Sequence, residues 1–468
     1  MMDDPWYKST DSLTWALTRK KTDSDEPSKE KLNRVLTFFD LTALGTGSTL
    51  GCGVYVLAGA VAKSIAGPAV VLSFAIAAVV SAFSGLCYAE FAGRVPKAGS
   101  AYIYSYVAVG EFTAFVIGWN LLIEHLIGTA AVAKAMSNYC DSLLGNPQRR
   151  YMTEYFPIHI GFLADYPDLA SFLVIVIISQ KSMDPDAPLP ALYENLGMPT
   201  IKIIVSGGAI FALCTSLLGA IFPLPRILYS MASDGLLFKF LSNINSTTKT
   251  PLISTIICGV FAGTLAAVFN LEQLIDMASI GTLQAYTIVC ICVLILRYTD
   301  NSPSIQDNMT KSKGITVFTW LNLSNAKVPN SDTQYVSRAL IFIFSACTFV
   351  FAISLANMES HHGNTRNVLM IINVIALLVL LVTLFMLGRL PTAVEDLSFK
   401  VPLVPIIPCL SIVLNVYLMM ELEYKTWIRF IVWLICGLLI YLFYGIGHSL
   451  EGNKQKIQLN TIQIKPKL

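Results

Sequence analysis

Apolar residues occur along the chain in runs long enough to cross a lipid bilayer, and short polar segments separate them. A membrane-spanning helix needs about 20 mostly apolar residues. The pattern therefore predicts an all-α polytopic membrane protein with about ten spans. The ten runs lie near residues 37–62, 68–92, 111–134, 201–222, 252–270, 274–297, 338–357, 368–388, 402–420 and 428–447.

Glycines interrupt the first apolar run at its centre, in the stretch GTGSTLGCG at residues 45–53. Hydrocarbon offers no partner to loose backbone amides, so an unwound segment at this depth is tolerated only where it faces protein, water or a ligand. Such breaks hold the charged groups of substrates in many secondary transporters. We therefore expect the amides from Ser48 to Gly51 to point at a carboxylate, near the positive end of the second half-helix. Close helix packing is the alternative reason for glycine here.

Composition agrees with a membrane protein, because 54% of the residues are hydrophobic, 13% are charged and the mean hydropathy is +0.63. The cysteines, all but Cys140 in or beside apolar runs, imply no disulfide framework. The tandem His361-His362 lacks a second cluster at ligand spacing, which favours a solvated loop over a metal site. Without a nucleophile elbow, phosphate loop or metalloprotease helix, the sequence predicts no enzyme, cofactor or nucleic-acid partner.

The distribution of basic residues predicts the orientation in the membrane. The polar segment before the first run, through Arg34, lacks the pattern of a cleaved signal peptide. With this segment in the cytoplasm, 23 of the 32 Lys and Arg residues lie inside and 9 lie outside. This positive-inside bias predicts that both termini are cytoplasmic.

Four charged residues in or near the spans are candidates for function. Glu124 lies well inside the third run, where a charged group costs roughly 2.5 to 3.5 kcal/mol, so it needs a partner. That partner is a cationic side chain of the substrate, another helix or a proton. Glu111 starts the same run and favours the helix N-terminus, in a structural or gating role. Glu90 and Arg94 have the i, i+4 spacing of an ordinary ion pair at the cytoplasmic end.

Two long signatures carry a resemblance to a known family. The first is CYAEFAGRVPKAGSAY at 87–102, followed by VGEF at 109–112 and GWNL at 118–121. The second is LLGAIFPLPR at 217–226, followed by SDGLLFK at 233–239, TKTP at 248–251 and ASIGTL at 278–283. From about residue 34 to about residue 447, the chain resembles the cationic amino acid transporter family of the amino acid–polyamine–organocation superfamily.

The resemblance implies an architecture and a substrate class. Members of the family have fourteen spans, of which the first ten form two inverted five-helix repeats. They carry arginine, lysine and ornithine without sodium, so the membrane potential, worth about 2.3 kcal/mol per charge per 100 mV, would drive transport. No cofactor is implied, and the plasma membrane is the expected location. The residues that match the family's carboxylate-binding break are Gly47, Ser48, Thr49, Gly51 and Gly53.

The resemblance breaks between residues 149 and 199. Residues 171–179 start like the family's fourth span and stop, and residues 184–190 resemble the outside loop that follows the seventh span. Most of span four and all of spans five to seven are therefore missing, on the order of a hundred or more residues at about 20 per span. The apolar run 169–179 covers about 16 Å, half a hydrocarbon core, so it should not span. Because four lost elements is an even number, the later helices keep their orientation.

The expected organisation is an incomplete five-plus-five inverted-repeat core with four C-terminal helices. Its segments are a cytoplasmic tail at 1–34, three spans with the broken helix at 35–134, an outside loop at 135–200 with the deletion junction near 180–184, three spans at 201–297, a cytoplasmic loop at 298–337, four spans at 338–447 and a cytoplasmic tail at 448–468.

Two functional hypotheses follow from the shortened core. In the first, the chain transports cationic amino acids, and a partner such as a full-length homologous protomer supplies the gap or the helices rearrange. In the second, it is a truncated isoform or an incomplete gene model that inserts into the bilayer but does not transport by itself. The resemblance places the repeat partner of the broken helix in the missing sixth span, and a lysine that stands in for sodium in the missing fifth span.

Overall fold

The fold is entirely helical within the part of the chain that the computed structural model describes. The described residues are 17, 19–21, 37–49, 51, 53–54, 58, 61–62, 66–94, 100–160, 163–181, 199–221, 223–245, 250–299, 320, 322, 328–358, 361–393 and 397–452. The α-helices are α1 (Phe38–Thr49), α2 (Val70–Arg94), α3 (Ala101–Ala108), α4 (Glu111–Leu143), α5 (Pro147–Tyr155), α6 (Leu169–Lys181), α7 (Pro199–Ile221), α8 (Leu224–Ser233), α9 (Leu252–Val268), α10 (Leu271–Arg297), α11 (Ser331–Ala356), α12 (Asn364–Arg389), α13 (Ile406–Met420) and α14 (Tyr424–Ile440).

The prediction of an all-α polytopic membrane protein is confirmed. Seven helical segments of the described chain are long and apolar enough to cross a bilayer, namely Gly67–Arg94, Glu111–Leu143, Ala212–Ser233, Leu271–Arg297, Ser331–Ala356, Asn364–Arg389 and Tyr424–Gly452. The runs at 252–270 and 402–420 fold as the shorter helices α9 and α13, of 17 and 15 residues. At 1.5 Å per residue they cover about 26 and 23 Å, somewhat less than a hydrocarbon core.

Helix α6 is the apolar run that was predicted to be too short to span. Its 13 residues extend about 20 Å. Asp168 caps its first turn by accepting a hydrogen bond from the Ser171 amide at 3.0 Å. The helix lies along α9, where a Cβ on Gly263 would come within 3.0 Å of the Phe172 ring. The predicted deletion junction beyond residue 181 lies outside the described residues.

Helix α11 begins seven residues before the predicted span at 338, so the predicted cytoplasmic loop 298–337 ends in helix. The cause is a capping box, in which the Asn330 side chain accepts from the Thr333 amide and the Thr333 hydroxyl accepts from the Asn330 amide, both at 2.8 Å. Polarity alone placed the start of the helix too late, because the first turns of α11 are polar.

The helices form two compact units. The first comprises Met1–Lys21, Ala75–Ile117 and Thr282–Tyr424, and the second comprises Thr22–Phe74, Gly118–Gly281 and Lys425–Leu468. In the first unit α11 packs against α12 and α13, and a buried polar triad joins α2 to α13. The triad has Ser84 Oγ 2.9 Å from Ser411 Oγ, and the Asn415 amide donates to both hydroxyls.

In the second unit a pair of indoles fixes α14 against α4. Trp119 Nε1 donates to the Trp433 carbonyl at 2.9 Å, and Trp433 Nε1 donates to the Trp119 carbonyl at 3.1 Å. The two rings stack with their centroids 4.3 Å apart. Since both indole N–H groups are satisfied by this exchange, the pair contributes packing without an orphaned donor.

Gly437 makes room for the indole pair, and its replacement by alanine should destabilise the protein. A Cβ there would overlap the Trp119 ring, which is held by its stack and its hydrogen bond. Overpacking of this kind costs about 1 to 3 kcal/mol. We expect Gly437→Ala to lower the Tm of the purified protein by several degrees. Gly447→Ala is the matched control, because no described atom lies within 4 Å of its Cβ position. Equal Tm values for the two variants would contradict the prediction.

Residues within both predicted tails are packed into the units. Arg19 is buried in the first unit, where the Glu111 amide donates to its carbonyl at 2.7 Å. In the second unit the Leu450 amide donates to the Asp234 carbonyl at 3.0 Å, and Glu451 is buried. The predicted polar tails at 1–34 and 448–468 therefore include anchored residues, which their charged composition did not indicate.

Candidate functional site

The first predicted span is helical up to Thr49 and then changes direction. Gly51 follows at a bend, and its amide donates to the Thr49 carbonyl at 2.8 Å. Helical geometry resumes at Gly53 and Val54. The glycines therefore differ in position, since Gly47 lies inside α1 whereas Gly51 and Gly53 follow its end.

This geometry corrects one expectation about the backbone amides. The amides of Ser48 and Thr49 belong to the hydrogen-bonded ladder of α1, and that of Gly51 is taken by Thr49. They are not the free donors that the sequence predicted for a carboxylate. The amides that remain as candidates follow Gly51, and a Cβ on Gly53 would meet no described atom within 4 Å.

Close packing accounts for two of the four glycines. A Cβ on Gly51 would lie 2.6 Å from Ser216 Oγ of α7 and 3.7 Å from Val132 of α4. A Cβ on Gly47 would lie 3.3 Å from Thr215 of α7. The end of α1 is thus seated directly on α7, with α4 at its side. At the two other glycines of this run no described atom lies within 4 Å of the Cβ position, so no contact among the described residues requires glycine there.

Glu124 is partly buried on α4, the helix that also supplies Val132 beside the break. A Cβ on Gly281 of α10 would lie 3.2 Å from Glu124 Cβ, so the small residue lets α10 approach α4 closely at Glu124. Eight residues separate Glu124 from Val132, which is about 12 Å along the helix axis. A ligand held at the break would reach Glu124 only through a long side chain.

Glu90 is the centre of a buried polar cluster, which contains the expected helical pair with Arg94 and further partners. The expected pair exists at 3.3 Å, but shorter bonds come from Arg297 at the end of α10. Arg297 Nε lies 2.8 Å from Glu90 Oε1, and its Nη2 lies 3.0 Å from Oε2. The Val401 amide also donates to Oε2 at 2.8 Å. We call Glu90, Arg94, Arg297 and Val401 the Glu90 cluster.

Glu111 is fully buried at the start of α4 rather than solvated near water. The Tyr106 hydroxyl donates to its Oε2 at 2.8 Å, and Arg19 lies 3.7 Å from Oε1. This arrangement suits the predicted structural or gating role, with the residues before the first span as the partner. Sequence reasoning missed Arg19, Arg297 and Val401, and the one signal was a basic residue at the end of an apolar run.

Comparison with known proteins gives matches over most of the chain. Residues 36–164 and 168–381 match the family described as "Amino acid permease", and residues 399–449 match "C-terminus of AA_permease". Cationic amino acid transporter 4 of Mus musculus is 31% identical, covering 95% of this chain and 92% of the relative. The protein of that name in Homo sapiens is 30% identical, covering 98% and 94%. "Cationic amino acid transporter 4, vacuolar" of Arabidopsis thaliana is 30% identical, covering 93% and 96%.

The alignments also contain many positions at which this chain has no residue. The alignment with the mouse relative occupies 588 positions, 120 more than the 468 residues of the chain. At least that many positions therefore hold a residue only in the relative, about the size of the four spans predicted to be missing. The match to the permease family is interrupted at 165–167, inside the segment 149–199 where the resemblance breaks.

Proposed function

Because the chain belongs to the amino acid permease family, and within it to the cationic amino acid transporters, we propose that it carries arginine, lysine and ornithine across a membrane. Transport is independent of sodium and driven by the membrane potential. A monovalent cationic substrate gains about 2.3 kcal/mol per 100 mV on moving inward, equivalent to roughly fifty-fold accumulation at equilibrium. The plasma membrane is the proposed location, while relatives from Arabidopsis thaliana carry the words vacuolar and mitochondrial in their names.

The observation that carries the proposal is the bend at Gly51. A helix that ends at mid-span and starts again at Gly53 directs the positive end of the second segment towards the interruption. We propose that the substrate carboxylate binds there, at the amides that follow Gly51, beside Gly53. Gly47 and Gly51 serve this site by letting α1 lie against α7, and Ser48 and Thr49, the last residues of α1, are assigned to the same site.

Glu124 is proposed to attract the cationic side chain of the substrate. Its distance along α4 from the residue beside Gly51 suits a substrate whose charge lies at the end of a long side chain. A carboxylate at this depth is costly without a cation, so it would favour arginine over a neutral amino acid of equal size. Glu90, Arg94 and Glu111 are assigned structural or gating roles, since protein partners already surround them.

A second function is favoured by the total of at least 120 aligned positions at which this chain has no residue. A chain that lacks the repeat partner of the broken helix would hold only part of a substrate site. In that case it inserts in the bilayer without transporting, and it acts, if at all, by assembling with a full-length homologous protomer.

Uptake of labelled arginine into liposomes that contain the purified chain separates the two functions. We expect saturable uptake that is equal in sodium and choline buffers and that rises when an inside-negative potential is imposed. Protease accessibility of the tails verifies insertion in the same vesicles. Inserted protein without uptake would reject autonomous transport. Coexpression with a full-length cationic amino acid transporter would then test assembly, with altered uptake by that partner as the positive result.

A further inference from the structure

A polar cavity of about 390 Å³ lies in the second unit, beside the C-terminal half of α4. Cationic and anionic side chains line it, including Lys134, Arg149 and Asp165. Neutral polar side chains, among them Asn138, Tyr166 and Asn270, complete the lining. This volume is within the range of small-molecule sites. The predicted orientation puts this end of α4 at the outside of the membrane. Nothing in the function proposed above uses the cavity.

Lys134 is the unusual member of the lining. Its side chain is only 5% exposed, and its Nζ lies 3.3 Å from Asp168 Oδ2. Besides this ion pair, the centre of the Tyr166 ring lies 5.5 Å from Nζ, and within the described residues no well-aligned hydrogen bond from the ammonium is found. An ammonium carries three donors, and burying them unsatisfied is costly. The lysine therefore calls for an acceptor inside the cavity.

The protein holds this ammonium in place through a rigid carboxylate. Asp168 Oδ1 accepts from Ser137 Oγ at 2.8 Å, from Gln148 Nε2 at 2.7 Å and from the Ser171 amide at 3.0 Å. These bonds fix Asp168 between α4, α5 and α6. Only Oδ2 is turned to Lys134, and it too lacks a hydrogen bond among the described residues. The Lys134–Asp168 pair is thus held in place while part of its hydrogen-bonding capacity remains unused.

The remaining polar groups of the wall suit a ligand with both charges. Asp165 supplies a carboxylate at the cavity surface. Burial, together with the nearby carboxylates of Asp168 and Asp141, raises the pKa of Tyr166, so its hydroxyl stays protonated at neutral pH. The Asp141 carboxylate itself caps α5 by accepting from the amides of Gln148 and Arg149 at 2.7 and 3.1 Å. Its charge is used within the fold.

The cavity is separate from the break in the first helix. Val132 of α4 faces Gly51, and Lys134 follows two residues later. Two residues rotate a side chain by about 200° around an α-helix, so the two positions lie on opposite faces of α4. A ligand in the cavity would contact neither Gly51 nor Gly53.

We propose that this cavity is a second amino acid site, in which Lys134 Nζ binds the α-carboxylate and Asp165 faces the cationic groups. That the ligand is an amino acid rests on the proposed function. That the cavity binds a small carboxylate does not depend on the proposed function. A molecule with a carboxylate and a cationic group places each of its charges beside an opposite charge of the cavity wall. It also supplies the acceptor that the buried ammonium lacks.

The test is equilibrium binding of labelled L-arginine to the purified full chain in phosphatidylcholine nanodiscs, in a Gly51→Leu background that removes the site at the break. We expect one site to remain, with agmatine, which lacks the carboxylate, competing at least about tenfold more weakly. Because uptake is not measured, a failure of transport does not affect the result. Absence of arginine binding to folded Gly51→Leu protein would overturn the proposal, and so would equal competition by agmatine or by chloride.

Two further variants keep the test sharp. The double variant Lys134→Met with Asp168→Asn removes both charges of the pair at once. The asparagine side chain keeps an oxygen that accepts the three hydrogen bonds made to Asp168. Asn138→Phe fills the cavity from an exposed position outside this network. Each should lower arginine affinity by at least about tenfold, with the Tm of Asn138→Phe unchanged. Full affinity in Asn138→Phe would show that arginine binds elsewhere and would reject the cavity as the site.

Discussion

Replacing Gly51 by leucine is expected to reduce arginine uptake by about a hundredfold or more while insertion in the membrane continues. A Cβ at this position would lie 2.6 Å from Ser216 Oγ and 3.7 Å from Val132. Leucine adds three further carbon atoms, so α1 must move away from α7. Displacement of a binding site by about 1 Å is sufficient to cost a hundredfold in rate. The measurement is initial uptake of labelled arginine, normalised to inserted protein.

The controls separate a steric effect at the break from general damage. Gly85→Leu places the same side chain on the exposed face of α2, where no described atom lies within 4 Å of its Cβ position, and should retain uptake. Gly51→Ala should give an intermediate loss, and adding Ser216→Gly should restore part of it, because it removes the atoms that the new Cβ meets. Uptake by Gly51→Leu equal to that of Gly85→Leu would reject the assigned role of the bend.

Apolar length predicted the membrane class and the short helix α6 from the sequence, because the bilayer sets one length for every spanning helix. The same rule did not predict where a helix stops. Helix α1 continues through Gly45 and Gly47 and ends only at Thr49, since glycine lowers helix stability without preventing the helix. Contact with α7, which starts 150 residues later, decides where the first span bends.

The sequence did not reveal which residues pair with the buried charged side chains. Glu90 and Arg94 are one helical turn apart, so local spacing predicted their pair. Arg297 is 207 residues away, and no local rule connects it to Glu90. Lys134 and Asp168 likewise lie on different helices or their ends. A charged residue within an apolar run predicts that a partner exists, and only the fold shows which one.

The Glu90 cluster supplies the prediction with the largest expected effect on stability. Glu90 is fully buried and joins α2, the end of α10 and the segment before α13 within the first unit. In Glu90→Gln, an amide replaces one acceptor oxygen and Arg297 loses its counter-charge. Removing one partner of a buried ion pair costs about 3 to 5 kcal/mol. We therefore expect the Tm of the purified protein to fall by about 10 °C.

Arg94→Gln is the matched control, since its 3.3 Å contact with Glu90 is longer than the two bonds from Arg297, and Glu90 keeps Arg297 as its counter-charge in this variant. That variant should therefore lose less stability than Glu90→Gln. The double variant Glu90→Gln with Arg297→Met should recover much of the lost Tm, because it removes the uncompensated guanidinium as well as the carboxylate charge. If Glu90→Gln were no less stable than Arg94→Gln, the cluster would be an incidental contact. A recovered double variant would instead show that the cost lies in the isolated buried charge, and that charge pairing, rather than the bonds to Val401, determines stability at this end of α2.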